Sequence, residues 1–108
     1  MDLENYGKSL TLLVKALCAD YPRRARIIAK NGSDRRSRRL AMECAYFNRR
    51  IFEAVSEITG ADLAEIFIRE IGEGTGYAKS EVTVLSESVY KEYKREARAA
   101  IAKKLHLL

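Results

Sequence analysis

The sequence predicts an all-α protein, a compact bundle of five to six helices closed by a C-terminal helix-turn-helix-like pair. Apolar residues recur at three- and four-residue steps along most of the chain. The single proline, Pro22, and glycine-bearing steps at 31–32, 59–60 and 72–76 punctuate those runs. The one alternating stretch, Glu81-Val82-Thr83-Val84-Leu85, has no second run to pair with. A chain of 108 residues fits one domain around a single core. Residues 1–59 would supply the N-terminal helices, including a long central one, and residues 60–108 the helix-turn-helix-like region.

Taken in order, Asp2 is placed to cap a first helix whose apolar positions are Leu3, Tyr6, Leu10, Leu13 and Leu17. Pro22 turns Tyr21 out of that helix and fits the first turn of a second, which runs Arg23 to Lys30 with Ile27 and Ile28 inward. Asn31-Gly32 supplies a left-handed stop and Ser33 the next N-cap. The third helix is the longest, striped by Leu40, Cys44, Phe47, Ile51, Ala54, Val55 and Ile58 and ended by Thr59-Gly60. A fourth starts at Ala61 or Asp62, with Leu63, Ile66, Phe67 and Ile71 inward and Glu65, Arg69 and Glu70 outward. Gly72-Glu73-Gly74-Thr75-Gly76 breaks it. Tyr77 to Thr83 reads as a short, imperfect helix. Ser86 caps the last helix, Leu85 and Tyr90 are spaced as a hydrophobic staple, and Val89, Tyr93, Ala97, Ile101 and Leu105 form the apolar stripe.

Charge is segregated along the chain. Residues 23–50 hold ten Lys or Arg against two Asp or Glu, residues 51–88 two against eight, and residues 89–108 six against two. Two basic blocks around an acidic middle suit either a face for a phosphate backbone or helices that pair with one another. The apolar runs are too short and too often interrupted by charge for a membrane span, and Met1-Asp2-Leu3-Glu4 lacks the order of a signal peptide, so a cytoplasmic protein is expected. Cys18 and Cys44 stand far apart with His106 as the single histidine, which supports neither a zinc cage nor a disulfide framework; both thiols read as packed small hydrophobes. No metal and no cofactor are expected. The glycine run lacks the preceding strand and the Lys-Ser/Thr ending of a phosphate loop, and no carboxylate pair shares an apolar pocket, so no catalytic residue is assigned. The tyrosines do not form a base-stacking series and suit packing.

At Leu85-Ser86-Glu87-Ser88-Val89-Tyr90-Lys91-Glu92-Tyr93-Lys94-Arg95-Glu96-Ala97-Arg98 the wording resembles the recognition helix of sigma-factor region four. It is closer still to small phage and mobile-element regulators of the ArpU and RinA type, where leucine, serine, two residues, an aromatic, a basic run and an alanine recur. The resemblance covers about Ile58 to Leu105, with Tyr21-Pro22-Arg23 echoing a tyrosine-proline step. It implies a transcriptional regulator whose last helix enters the major groove of double-stranded DNA, with RNA polymerase as a further partner. Recognition helices read base edges from their first turns. Glu87, Ser88, Lys91 and Glu92 are therefore the base-reading candidates. Lys94, Arg95 and Arg98, with Arg35, Arg36, Arg38 and Arg39 as helpers, are the phosphate candidates.

Two other readings stand beside this one. The last helix also suits an ordinary amphipathic helix with a solvated basic face, and the arginines suit a surface paired with the acidic fourth helix. The stripe from Leu40 to Ile58 would serve equally as core or as the seam of a homo-oligomer, so a helical adaptor or structural module without DNA binding is the alternative.

Overall fold

A computed structural model describes residues 7–30 and 32–108. Its elements are α1 (Lys8–Ala19), α2 (Tyr21–Lys30), α3 (Arg35–Thr59), α4 (Ala61–Glu73), a 3-10 turn at Tyr77–Lys79, and α5 (Glu87–Lys104). No strand occurs among the described residues. Asp20 alone separates α1 from α2, and with those two taken as one interrupted helix the count is four against the five to six expected; the imperfect helix expected over 77–83 is a three-residue turn followed by irregular chain. The expected cap Asp2, with Leu3, Tyr6 and Asn31, lies outside the described residues.

The centre is α3, against which α2, α4 and α5 all pack. Its 25 residues give a strut about 37 Å long. Its N-cap is Asp34, one residue after the expected Ser33: the Asp34 carboxylate accepts from the Ser37 backbone N–H at 2.8 Å and from the Ser37 hydroxyl at 2.9 Å. Gly32 takes no left-handed turn; it is small because a Cβ there would meet the Ser37 Cβ at 2.4 Å. The C-terminal half of α3 follows the expected stripe, with Ile51, Ala54 and Val55 fully buried. In the N-terminal half the buried line turns to Ala41, Cys44 and Asn48, which leaves Leu40 and Phe47 exposed.

That rotation has a polar cause. Arg24, 5% exposed, reaches from α2 to the Asn48 Oδ1 at 2.7 Å, to Asp20 at 3.1 Å and to the Leu17 carbonyl oxygen. The Asn48 amide donates in turn to the Tyr21 carbonyl at 3.2 Å. A buried guanidinium must have its donors met, and meeting them sets the side of α3 that α2 covers. Arg24, rather than Ile27 or Ile28, is the fully buried residue of α2. On α1 the buried positions are Val14 and Cys18, while Leu13 is exposed. Burial pushes the Cys18 thiol up to about 12, and both cysteines are free and buried.

The largest departure concerns Glu70. Expected on the outer face of α4, it is 2% exposed. Its carboxylate accepts from the Ser80 hydroxyl at 2.6 Å, the Glu81 backbone N–H at 2.8 Å and the Tyr90 hydroxyl at 2.8 Å. Burial pushes the carboxyl up, but these three bonds, with the Arg69 charge nearby, outweigh it and hold Glu70 below the ordinary glutamate range. Tyr90, pushed up to about 12 by burial and by its bond to Glu70, stays protonated as a donor. Its ring lies 5.3 Å from that of Phe67 and 5.5 Å from that of Tyr77, centroid to centroid. The chain reaches this knot through a left-handed Gly74, where the Gly74 N–H bonds the Ile71 carbonyl and the Thr75 N–H the Glu70 carbonyl. Gly72 is needed two residues earlier, since a Cβ would sit 2.7 Å from the Ala19 backbone nitrogen.

A carboxyl held below its ordinary value stabilises the fold above that value and loses this contribution as pH falls through its folded titration. Stability measured by urea denaturation should therefore fall on an acid limb below about pH 4.5. Glu70→Gln should flatten that limb. Tyr90→Phe, which leaves the carboxylate one donor short, should cost about 1.5–3 kcal/mol at neutral pH; an unchanged midpoint would show that the bond contributes nothing.

Candidate nucleic-acid interface

The last helix begins where the sequence places it. The Ser86 hydroxyl caps it, accepting from the Val89 N–H at 3.4 Å. Its buried line is Tyr90, Ala97, Ile101 and Ala102, one residue off the expected stripe at the N-terminal end, and Val89 is exposed. The outer side of the first two turns carries Glu87, Ser88 and Lys91, all exposed. Glu87 and Lys91 stand 3.9 Å apart, their side chains 59% and 68% exposed, a spacing worth little in water and easily broken by a ligand. Glu92, the fourth base-reading candidate, is half-buried and paired with Arg95, which holds its carboxyl below the usual range.

The expected phosphate-holding residues of α5 are engaged within the fold. The Lys94 ammonium donates to the Thr75 carbonyl and lies 5.8 Å over the Tyr90 ring. Its pKa is lowered by burial and by Arg98. Arg95 binds Glu92, and Arg98 is half-buried on the side that faces Cys18. The continuous basic face read from the sequence is thus divided: Lys91 projects, Lys94 closes the loop over the glycine run, and Arg95 and Arg98 are half-buried. The first member of the expected helix pair is only the 3-10 turn, and seven irregular residues, 80–86, separate it from α5.

The arginine block has fewer partners. Arg35, Arg36, Arg38 and Arg39 are all exposed in the first turns of α3. Among the described residues their ion pairing is limited to Arg39 with Glu43 at 3.7 Å on the same helix; none pairs with α4. Four of the eight acids of the middle segment are used elsewhere. Glu53 and Glu57 meet Lys104 at 3.9 and 2.7 Å, Glu81 meets Arg69 at 2.6 Å, and Glu70 is buried.

The two basic regions lie at opposite ends of the bundle. Lys104 at the end of α5 meets Glu53 and Glu57, whereas Ile58 lies beside Glu96 and Ala99, so α5 runs antiparallel to α3. Its first turns therefore lie beyond the Thr59 end of α3, and Arg35–Arg39 open the other end. The molecule is 47 Å along its longest axis.

Among the described residues, no group of three or more His, Cys, Asp or Glu could hold a metal ion, and no helix is long and apolar enough to cross a membrane. No family model, curated protein or solved structure matches the chain. What fold and surface define is a class, an all-α protein with one cationic end and a fixed, outward-facing helix start at the other.

Two lysines one turn apart should behave differently. Lys94→Ala removes a half-buried donor to Thr75 and should cost about 1 kcal/mol, while Lys91→Ala should stay within about 0.5 kcal/mol. Thermal melts of the two variants check this; equal losses would mean that Lys94 is as solvated as Lys91.

Proposed function

We propose that the chain is a DNA-binding transcriptional regulator of the small phage and mobile-element type, acting in the cytoplasm, with the first two turns of α5 in the major groove. One observation carries this reading. Glu87, Ser88 and Lys91 face outward from a helix start whose inner side is held by the Glu70 carboxylate. A reader helix needs a fixed angle. Here the angle comes from a buried charge rather than from a tight turn between two helices. Lys91 and Ser88 can donate to base edges, and Glu87 can accept from a cytosine amino group.

Phosphate contact falls to different residues from those the wording of α5 suggests. Lys94 is tied to Thr75, so the arginine end of α3 is the better backbone clamp, carrying charge that no acid in the described fold neutralises beyond the Arg39–Glu43 pair. A duplex lying along the 47 Å axis would meet both ends, since one helical turn of DNA advances about 34 Å. RNA polymerase is a partner this reading admits.

The second reading, a helical interaction or oligomerisation module without DNA binding, draws on the exposed apolar set Leu40, Met42, Tyr46 and Phe47 of α3. Fluorescence anisotropy with a labelled random-sequence duplex separates the two. DNA binding predicts saturable affinity at low salt and a negative slope of log affinity against log salt. Replacing Arg35, Arg36, Arg38 and Arg39 by Ala should make that slope shallower by about 0.9 for each phosphate that is no longer neutralised. Replacing Lys91 and Arg95 by Ala should weaken binding as well. Absence of binding at low salt would leave the interaction module.

A further inference from the structure

We infer that the groove between α2 and α3 is a docking site for an amphipathic helix of another protein, apolar on the face it buries and carboxylate-bearing along its edges. Two hollows, of about 410 and 350 Å³, adjoin along this seam and share Ile28 and Ala45. Together they form one trough with Ala25 on the α2 wall and Met42 on the α3 wall. On α3 the lining runs from Arg38 to Phe52, about 21 Å of helix or some four turns. That length suits a docked helix with anchors at i, i+3, i+4 and i+7. The alanines at 25, 41 and 45 let a third helix approach at about 8–10 Å. Met42, 74% exposed, is an unbranched and adaptable side chain of the kind used where a surface receives varied apolar partners.

Charge decides what the occupant carries. Arg38 and Arg49 line the trough, and Arg26 and Lys30 are exposed on α2. Among the described residues none of these four makes an ion pair, and Glu65, at the Tyr21 end, is the one carboxylate in the lining. A second copy docking on the same groove would bring two cationic rims together across an isologous contact. A duplex is too broad to reach a floor between two packed helices, and an apolar floor offers nothing to phosphate. An acidic helix satisfies both floor and rim. The trough is separate from the α5 face and shares Arg38 alone with the proposed phosphate clamp, so this inference stands whether or not α5 reads DNA.

The test is an NMR titration of the ¹⁵N-labelled full chain with two acetylated helical peptides that share one leucine ridge and differ in flanking residues, all Glu in one and all Lys in the other. Saturable shifts at Ala25, Ile28 and Ala45 are expected with the Glu peptide, with the Lys peptide weaker by about tenfold or more. The double reversal Arg38→Glu with Arg49→Glu should invert that preference. Ala25→Arg, an exposed site, should abolish the shifts at Ile28 and Ala45 with an unchanged melting temperature. Absence of shifts, shifts centred elsewhere, or equal response to both peptides would overturn the proposal. So would the same shifts appearing on concentrating the protein alone, which would assign the groove to a second copy, or on adding a short DNA duplex, which would assign it to nucleic acid.

Discussion

A single carboxylate, Glu70, fixes how the C-terminal third of this protein is arranged. The 13 residues between α4 and α5 contain a three-residue 3-10 turn and otherwise irregular chain, too little regular structure to define a direction by packing alone. Glu70 gathers that segment. It bonds Ser80 and Glu81 in the connection and Tyr90 in the first turns of α5, so one side chain from α4 ties three points on the far side of the loop. A buried charge left unmet is strongly destabilising, which makes the arrangement close to all or nothing. Tyr90 passes the constraint to the aromatic core through Phe67 and Tyr77. Gly72 and Gly74 let the chain pass Ala19 and turn back toward the knot.

The same commitment of charge to the interior explains the surface. Counted along the sequence, the acidic middle would cancel much of the basic block before it. In the fold half of those acids, Glu53, Glu57, Glu70 and Glu81, are committed to Lys104, Arg69 and the buried knot. Arg24 and Lys94, two of the cations, are likewise drawn inward, one ordering the α2–α3 seam and the other closing the glycine loop. Among the charges left exposed are a cationic end on α2 and α3 and a small mixed-charge face at the start of α5. The surface offered to partners is set by which charges folding leaves over.

Helical class, the long central helix, the stop at Gly60 and the cap at Ser86 were legible from the sequence, because periodicity, glycine and capping chemistry are local signals. Burial of Glu70 and Arg24 was not. Each sits on a helix at a position where a solvated charge is the ordinary outcome, and each is buried because of partners far off in sequence: Tyr90 is 20 residues from Glu70 and Asn48 is 24 from Arg24. The rotated stripe of α3 follows from the same long-range bonds, so Leu40 and Phe47 looked inward and are exposed. At the candidate site, helical spacing is enough to put Glu87, Ser88 and Lys91 on the exposed side of α5, while Glu92 is half-buried beside Arg95. The tie of Lys94 was not legible, because its partner is a carbonyl in a loop whose path periodicity cannot give. One local hint did mark position 70 as close to the core: Glu70 follows Phe67 and Ile68 and immediately precedes Ile71, on a turn whose other residues are mostly apolar.

The most direct measurement is a ¹³C titration of the Glu70 side-chain carboxyl by NMR, following the Glu81 amide in the same samples. A midpoint below 4.5, with the Glu81 amide shifting over the same pH range, is the result predicted for a carboxylate held by three donors. A midpoint at or above 4.5, or a Glu81 amide indifferent to the titration, would contradict the claim that this buried charge holds the start of α5 in place.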